Sequence, residues 1–124
     1  MRSLVPALLL ASLSWASAAS AAPSQDRGKR LFIQCAACHS VKAGAPHKVG
    51  PNLAGTVNAR AASRPGYAYS PALQKSGLVW DDRTLDRWLA KPAAVVPGNK
   101  MVFNGMPNAK DRQEIIAYMK RAAR

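Results

Sequence analysis

Cys35-Ala36-Ala37-Cys38-His39 puts two thiols at fixed spacing with an imidazole directly behind the second. These are the chain's two cysteines and one of its two histidines. The pattern suits covalent attachment of a c-type haem. Two thiols reach the two vinyl groups on one edge of a porphyrin, and the adjacent histidine is held close under the iron as its proximal ligand. Two other chemistries use the same residue types. A disulfide could join Cys35 to Cys38 as in thioredoxin-like sites, but those sit beside a βαβ pattern, and no strand run is present to build one. Zinc could take Cys35, Cys38, His39 and His47, yet there is no second paired knuckle, and His39 abutting Cys38 is poor geometry for one tetrahedron. Haem accounts for the motif best, with the disulfide and the zinc site left as alternatives.

The elements that must position this cluster follow from capping residues and periodicity. Ser24 can cap a first helix running to about Cys38, with Leu31 and Phe32 on its apolar stripe and Gly28 as a small notch. The notch either admits another helix at close range or is a surface glycine that weakens the helix by about 1 kcal/mol. Val41 to Ser70 reads as loop, rich in Gly and Pro. A loop this long is unusual in a compact domain, but it would serve to wrap a flat ligand. Ser70-Pro71 starts a short helix that Gly77 stops. Asp81 or Asp82 caps the next, with Leu85, Trp88 and Leu89 on one face, and Lys91-Pro92 ends it. Ala93 to Pro107 reads again as loop. Asn108 or Ala109 starts a last helix carrying Ile115, Ile116, Tyr118 and Met119, and its C-terminal Lys120, Arg121 and Arg124 suit the helix dipole. The expectation is four short helices, two long loops and no strand.

The first residues read as an export signal. A positive Met1-Arg2, an apolar run from Leu4 to Leu13 and an Ala/Ser stretch from Ala16 to Ala22 form a secretory leader. The division expected is 1–22 signal peptide and 23–124 folded domain. An uncleaved anchor is the other reading of the same residues, and it fits less well because the apolar core is short. Without Arg2 the mature part keeps 17 Lys and Arg against six acids, a formal charge of +11.

Taken together, these residues resemble class I cytochrome c, close to the bacterial relatives of the mitochondrial protein, across residues 24–124. The resemblance rests on Gly28 and Phe32, the Cys35–His39 motif, Gly50-Pro51-Asn52-Leu53, Pro65-Gly66-Tyr67-Ala68-Tyr69-Ser70, Trp80, Pro97-Gly98-Asn99-Lys100-Met101-Val102-Phe103-Asn104-Gly105 and Ile115-Ile116-Ala117-Tyr118. It implies an all-α cytochrome c fold, its loops wrapped round one covalently bound haem c that is held by Cys35 and Cys38 and ligated by His39 and Met101. Met106 and Met119 compete for the last role and read more readily as core filler; Met101 sits in an extended Pro/Gly loop. The resemblance further implies that the Pro51 carbonyl orients His39, that Tyr69, Trp80 and Asn99 reach a haem propionate, and that Phe103 packs beside the methionine. Gly28, Phe32 and Tyr118 resemble the packing site of first and last helices. Some positions depart from the pattern. Trp88 stands where a tyrosine is usual. Ala59 stands where an arginine is usual, so Arg60 is the candidate cation for a propionate. Tyr67 reads as aromatic core, and His47 as a structural histidine.

A haem with both axial positions filled moves single electrons and leaves no site for a substrate, so an electron carrier is expected and an enzyme is not. The basic charge favours acidic docking surfaces on redox proteins: a cytochrome bc complex or periplasmic dehydrogenase on one side, a terminal oxidase or photosynthetic reaction centre on the other. Lys48, Lys91 and Lys100 are the docking candidates, with Arg30 and Lys110 behind them. No nucleic-acid motif is present, and attraction to an anionic membrane would be weak. The expected protein is a periplasmic monomer. A haem subunit of a dedicated periplasmic oxidoreductase is the alternative.

Overall fold

The structure is a computed structural model that describes residues 24–122; the predicted leader, 1–22, lies outside the described residues. Five helices follow in order: α1 (Gln25–Ala36), α2 (Pro71–Lys75), α3 (Asp82–Ala90), α4 (Pro92–Val95) and α5 (Ala109–Ala122). No strand forms among the described residues, and one isolated antiparallel bridge joins Arg60 to Val79. The all-α expectation holds.

Local chemistry starts these helices where the sequence places the signals. Ser24 Oγ accepts from the Arg27 N–H at 3.1 Å, Ser70 Oγ from Leu73 N–H at 3.2 Å, and Asp81 Oδ1 from Thr84 N–H at 2.7 Å. Asn108 Oδ1 does the same for α5, accepting from Asp111 N–H at 3.1 Å. Each such cap satisfies an otherwise orphaned donor and stabilises its helix by about 1 kcal/mol. Two boundaries differ from the sequence reading. The first helix stops at Ala36, and the chain leaves it in a tight turn in which Cys38 and His39 N–H both donate to Cys35 O, at 3.0 and 2.8 Å. Three residues expected in the second loop, Ala93 to Val95, join Pro92 in α4, because extended Lys91 lets Pro92 open a fresh turn at the position where its missing N–H costs nothing.

The core lies where α1, α3 and α5 meet. Phe32, Trp80, Leu85, Trp88, Leu89, Val96, Met106, Ile115, Ile116 and Met119 are buried in one cluster, each fully buried large side chain stabilising by about 1.5–3 kcal/mol. Gly28 resolves the question the sequence left open. It is buried against α5, and an added Cβ would sit 2.5 Å from Glu114 O and 2.7 Å from Tyr118 Cβ. The two helices touch backbone to backbone there, and Phe32 and Tyr118 pack beside the crossing at 5.3 Å between ring centroids.

The long loop between α1 and α2 is stapled rather than loose. Asn52, buried, donates from Nδ2 to Lys42 O and Ala45 O, both at 2.8 Å, and accepts from Ala54 N–H at 2.8 Å. His47 accepts from Asn52 N–H at Nδ1 (2.9 Å) and donates from Nε2 to Pro65 O (2.8 Å). Both ring nitrogens of His47 are thereby committed to backbone.

Candidate functional site

The turn after α1, the stapled loop, α3, α5 and the segment after α4 enclose a cavity of about 430 Å³. Its size is that of a pocket for a small organic molecule or cofactor. Cys35, Cys38 and His39 line it, and so does Met101 from a separate segment of chain. The inner end is Phe32, Leu85, Trp88, Leu89, Ile115 and Met119. Residues 66 positions apart in sequence, Cys35 and Met101, meet here only because α1 and α5 pack together and the segment 96–108 folds back over α3.

His39 is held in one tautomer. Its Nδ1 donates to Pro51 O at 2.7 Å, which leaves Nε2 with the lone pair. Burial disfavours its protonated form, the Pro51 carbonyl opposes that, and the nearby Lys48 charge adds to the lowering. Gly50 makes the placement possible: a Cβ there would lie 2.6 Å from His39 Nδ1 and 2.8 Å from Nε2. Gly50 itself is fixed by its N–H donating to Cys38 O at 2.8 Å. Cys35 is half-buried, and burial pushes its free thiol up to about 11; Cys38 is exposed. The sulfurs of Cys35 and Cys38 both border the cavity, and no cluster of three or more His, Cys, Asp or Glu suited to a metal ion occurs among the described residues.

Of the competing methionines, Met106 is buried in the core and does not line the cavity, whereas Met101 and Met119 do. Met119 is fixed on α5 in the core. Met101 is half-buried in irregular chain, where Asn99 Oδ1 accepts from Met101 N–H at 3.0 Å and Asn99 Nδ2 donates to Val96 O at 2.9 Å. Asn99 therefore props the Met101 backbone as well as lining the cavity. Phe103 lines the cavity nearby.

The polar part of the lining is cationic. Arg60, Arg64 and Lys100 contribute charge, and no Asp or Glu does. Tyr69 Oη accepts from Arg64 N–H at 3.3 Å, so its own proton is free for another acceptor; burial pushes that hydroxyl up, and Arg64 pulls it back. Trp80 and Trp88 pack edge to face at 5.0 Å and both line the cavity. Arg64 is the residue sequence reasoning missed. It is half-buried where Arg60 is exposed, and its place directly before Pro65-Gly66-Tyr67 was the available signal. Tyr67 is not core: it is half-buried, its hydroxyl donates to Val49 O at 2.7 Å, and Lys100 Nζ lies 4.6 Å over its ring. Lys48 and Lys100 are also tied down, donating to the carbonyls of Ala36 and Ala68.

These features fit a haem. Two sulfurs and an imidazole with a free Nε2 lie along one side of a largely apolar cavity, a thioether reaches it from another segment, and Arg60 and Arg64, with no acid in the lining, are available to two propionates.

Known proteins agree. The Cytochrome c family model matches residues 25–123. Cytochrome c2 of Rhodomicrobium vannielii is 44% identical over 119 residues, covering 96% of this chain and 95% of that protein. Cytochrome c of Kluyveromyces lactis is 41% identical over 102 residues, covering 82% of this chain and 93% of that one. The solved structure of cytochrome cH from Methylobacterium extorquens superposes with a TM-score of 0.74 at 46% identity, over 78% of this chain and 97% of that one.

Proposed function

The chain belongs to the cytochrome c family, and from that premise we propose that Cys35 and Cys38 carry its haem, that His39 and Met101 are the axial ligands, and that the protein shuttles electrons in the periplasm. It carries haem c covalently and acts as an electron carrier, not an enzyme. The observation that carries the ligand assignment is one cavity lined by all four residues. Bound there, haem supplies a single-electron couple.

The residues around the cavity each do a definable job. Pro51 O fixes the His39 tautomer and ring plane and makes Nε2 a better donor to metal. Met101 offers a soft, neutral sulfur, which favours the reduced state relative to a second imidazole. A haem held by both His39 and Met101 would leave oxygen and substrates no open position. The apolar inner wall excludes water. Tyr69, Trp80, Asn99, Arg60 and Arg64 line the cavity and supply the donors and charge that two carboxylates would need, and Phe103 lines it together with Met101.

The outer surface supports acidic redox partners. Asp82, Asp86 and Asp111 are paired with Lys120, Arg112 and Arg27 between helices, and Asp81 caps α3. None of these acids reaches the cavity, where Lys100 and the two arginines lie, and Val102 beside them is fully exposed. A cytochrome bc complex or dehydrogenase as donor and an oxidase or reaction centre as acceptor would meet this face through acidic residues.

The test is the intact mass of the exported protein together with its reduced-minus-oxidised spectrum. Residues 23–124 plus one haem, found in the periplasmic fraction, is the expected result. A Met101→Ala protein must lose the red-edge sulfur-to-iron band; a band that survives overturns the axial assignment.

A further inference from the structure

Among the described residues, Arg112 has the most heavily used side chain. It is 9% exposed, on the first turn of α5. Its Nε donates to Asp86 Oδ1 at 2.7 Å and Nη2 to Asp86 Oδ2 at 3.3 Å, a two-pronged pairing with α3. Its Nη1 donates to the carbonyls of Met106 at 2.9 Å and Pro107 at 2.8 Å. One cation thus joins α5, α3 and the end of the segment that carries Met101.

That segment lacks regular structure, so its path is set by a few anchors. Asn99 holds the near side through Val96 O and Met101 N–H. On the far side, Met106 N–H donates to Leu89 O at 2.7 Å, and Gly105 lies so close to α3 that an added Cβ would meet Ala90 C at 2.8 Å and Lys91 Cα at 3.3 Å. Met101 sits between these anchors. The other two ion pairs among the described residues, Arg27–Asp111 and Lys120–Asp82, are more exposed and touch no carbonyl of the segment.

We propose that the Arg112–Asp86 pair is a positioning device for Met101, clamping residues 106–107 so that the sulfur stays at the cavity. The proposal rests on the reading of Met101 as an axial ligand. The physics is asymmetric. Asp86 aims and neutralises a guanidinium that is too buried to be left alone, and the guanidinium satisfies two carbonyls that have no helical partner. Replacing Asp86 with a neutral side chain weakens the aim of Arg112 without removing it, so the segment loosens while the core stays packed.

The experiment uses the haem-loaded protein and measures how fast added imidazole displaces the native sixth ligand in the oxidised state; a nitrogen–iron bond forms as the sulfur–iron bond breaks, and no electron moves. Asp86→Asn and Arg112→Lys are expected to raise that rate about tenfold or more, the scale of losing a hydrogen bond to a charged group, at a temperature where helix content equals the wild type. Asp86→Glu is expected to restore a near-native rate. Asp82→Asn, which breaks the exposed pair between the same two helices, is expected to leave it unchanged. A folded Asp86→Asn protein with the wild-type rate overturns the proposal. So does equal acceleration by Asp82→Asn, or an Asp86→Asn chain that fails to fold round haem, since either makes the pair a general brace. The Met101→Ala spectrum separates the two levels: a surviving red-edge band defeats the ligand reading whatever the imidazole rates are.

Discussion

Replacing Gly28 with alanine tests the helix crossing that frames the cavity, because two physical effects oppose each other there. In an open helical site the change would stabilise by about 1 kcal/mol through propensity alone. Here the new Cβ would lie 2.5 Å from Glu114 O and 2.7 Å from Tyr118 Cβ. Both neighbours are fixed to the α5 backbone, and no rotamer change moves them aside. Overpacking of this kind costs about 1–3 kcal/mol, and immobile neighbours put it at the upper end. The net expectation is a loss of about 2 kcal/mol after the propensity gain is subtracted. For a domain of this size that lowers Tm by roughly 8–16 °C. The separation would also strain the Phe32–Tyr118 contact, now 5.3 Å. The assay is thermal unfolding of the haem-loaded protein followed by far-UV circular dichroism. A Tm equal to or above the wild type would refute the close approach of α1 and α5.

Ala62 holds a left-handed backbone with φ 56°; Ala62→Gly should relieve about 1–2 kcal/mol of strain and lose about 0.5–1 kcal/mol to backbone entropy, a net gain seen as a raised Tm, and a fall would contradict it. Gly50→Ala should displace the His39 ring and break its bond to Pro51 O, lowering Tm by at least about 4 °C for each kcal/mol of overpacking and shifting the reduction potential; an unchanged potential contradicts that reading of Gly50. Asp81 titrates below its ordinary 3.8 because Thr84 N–H and hydroxyl stabilise the carboxylate. Its contribution is therefore complete above pH 3.8 and lost as pH falls through the lower folded value, so the Tm gap between wild type and Asp81→Ala should close in that acid range, and a gap independent of pH would contradict it. Electron transfer to an acidic partner should slow as ionic strength rises; a flat salt profile contradicts electrostatic docking.

Signals that act within a few residues were legible from the chain. Ser24, Ser70 and Asp81 cap the helices they precede because a cap needs only its own side chain and an N–H three residues on. The pairing of Pro51 with His39 was legible through the family resemblance, and its partners stand only 12 positions apart. The short α4 was hidden because Pro92 both ends one helix and opens the next. Tyr67 and Arg64 were misjudged or missed because which way a loop side chain faces depends on the packing of distant chain. Asp86 and Arg112 sit 26 positions apart on two helices, and nothing local to either announces the other.

The sequence by itself narrowed the chemistry: two thiols and an imidazole in Cys35–His39 suit a haem better than a disulfide or zinc, the family resemblance carried that to an electron carrier, and the basic composition limits what the surface can attract. Which methionine faces the cavity, and which cations do, was decided by tertiary structure. Met101 and Met106 differ by five positions and carry the same sulfur; one lines the cavity and the other fills the core. The physical reason is that a side chain's direction follows from the backbone path, and the path of segment 96–108 is fixed by long-range contacts with Leu89 and Ala90, and by Arg112, which is itself held by distant Asp86.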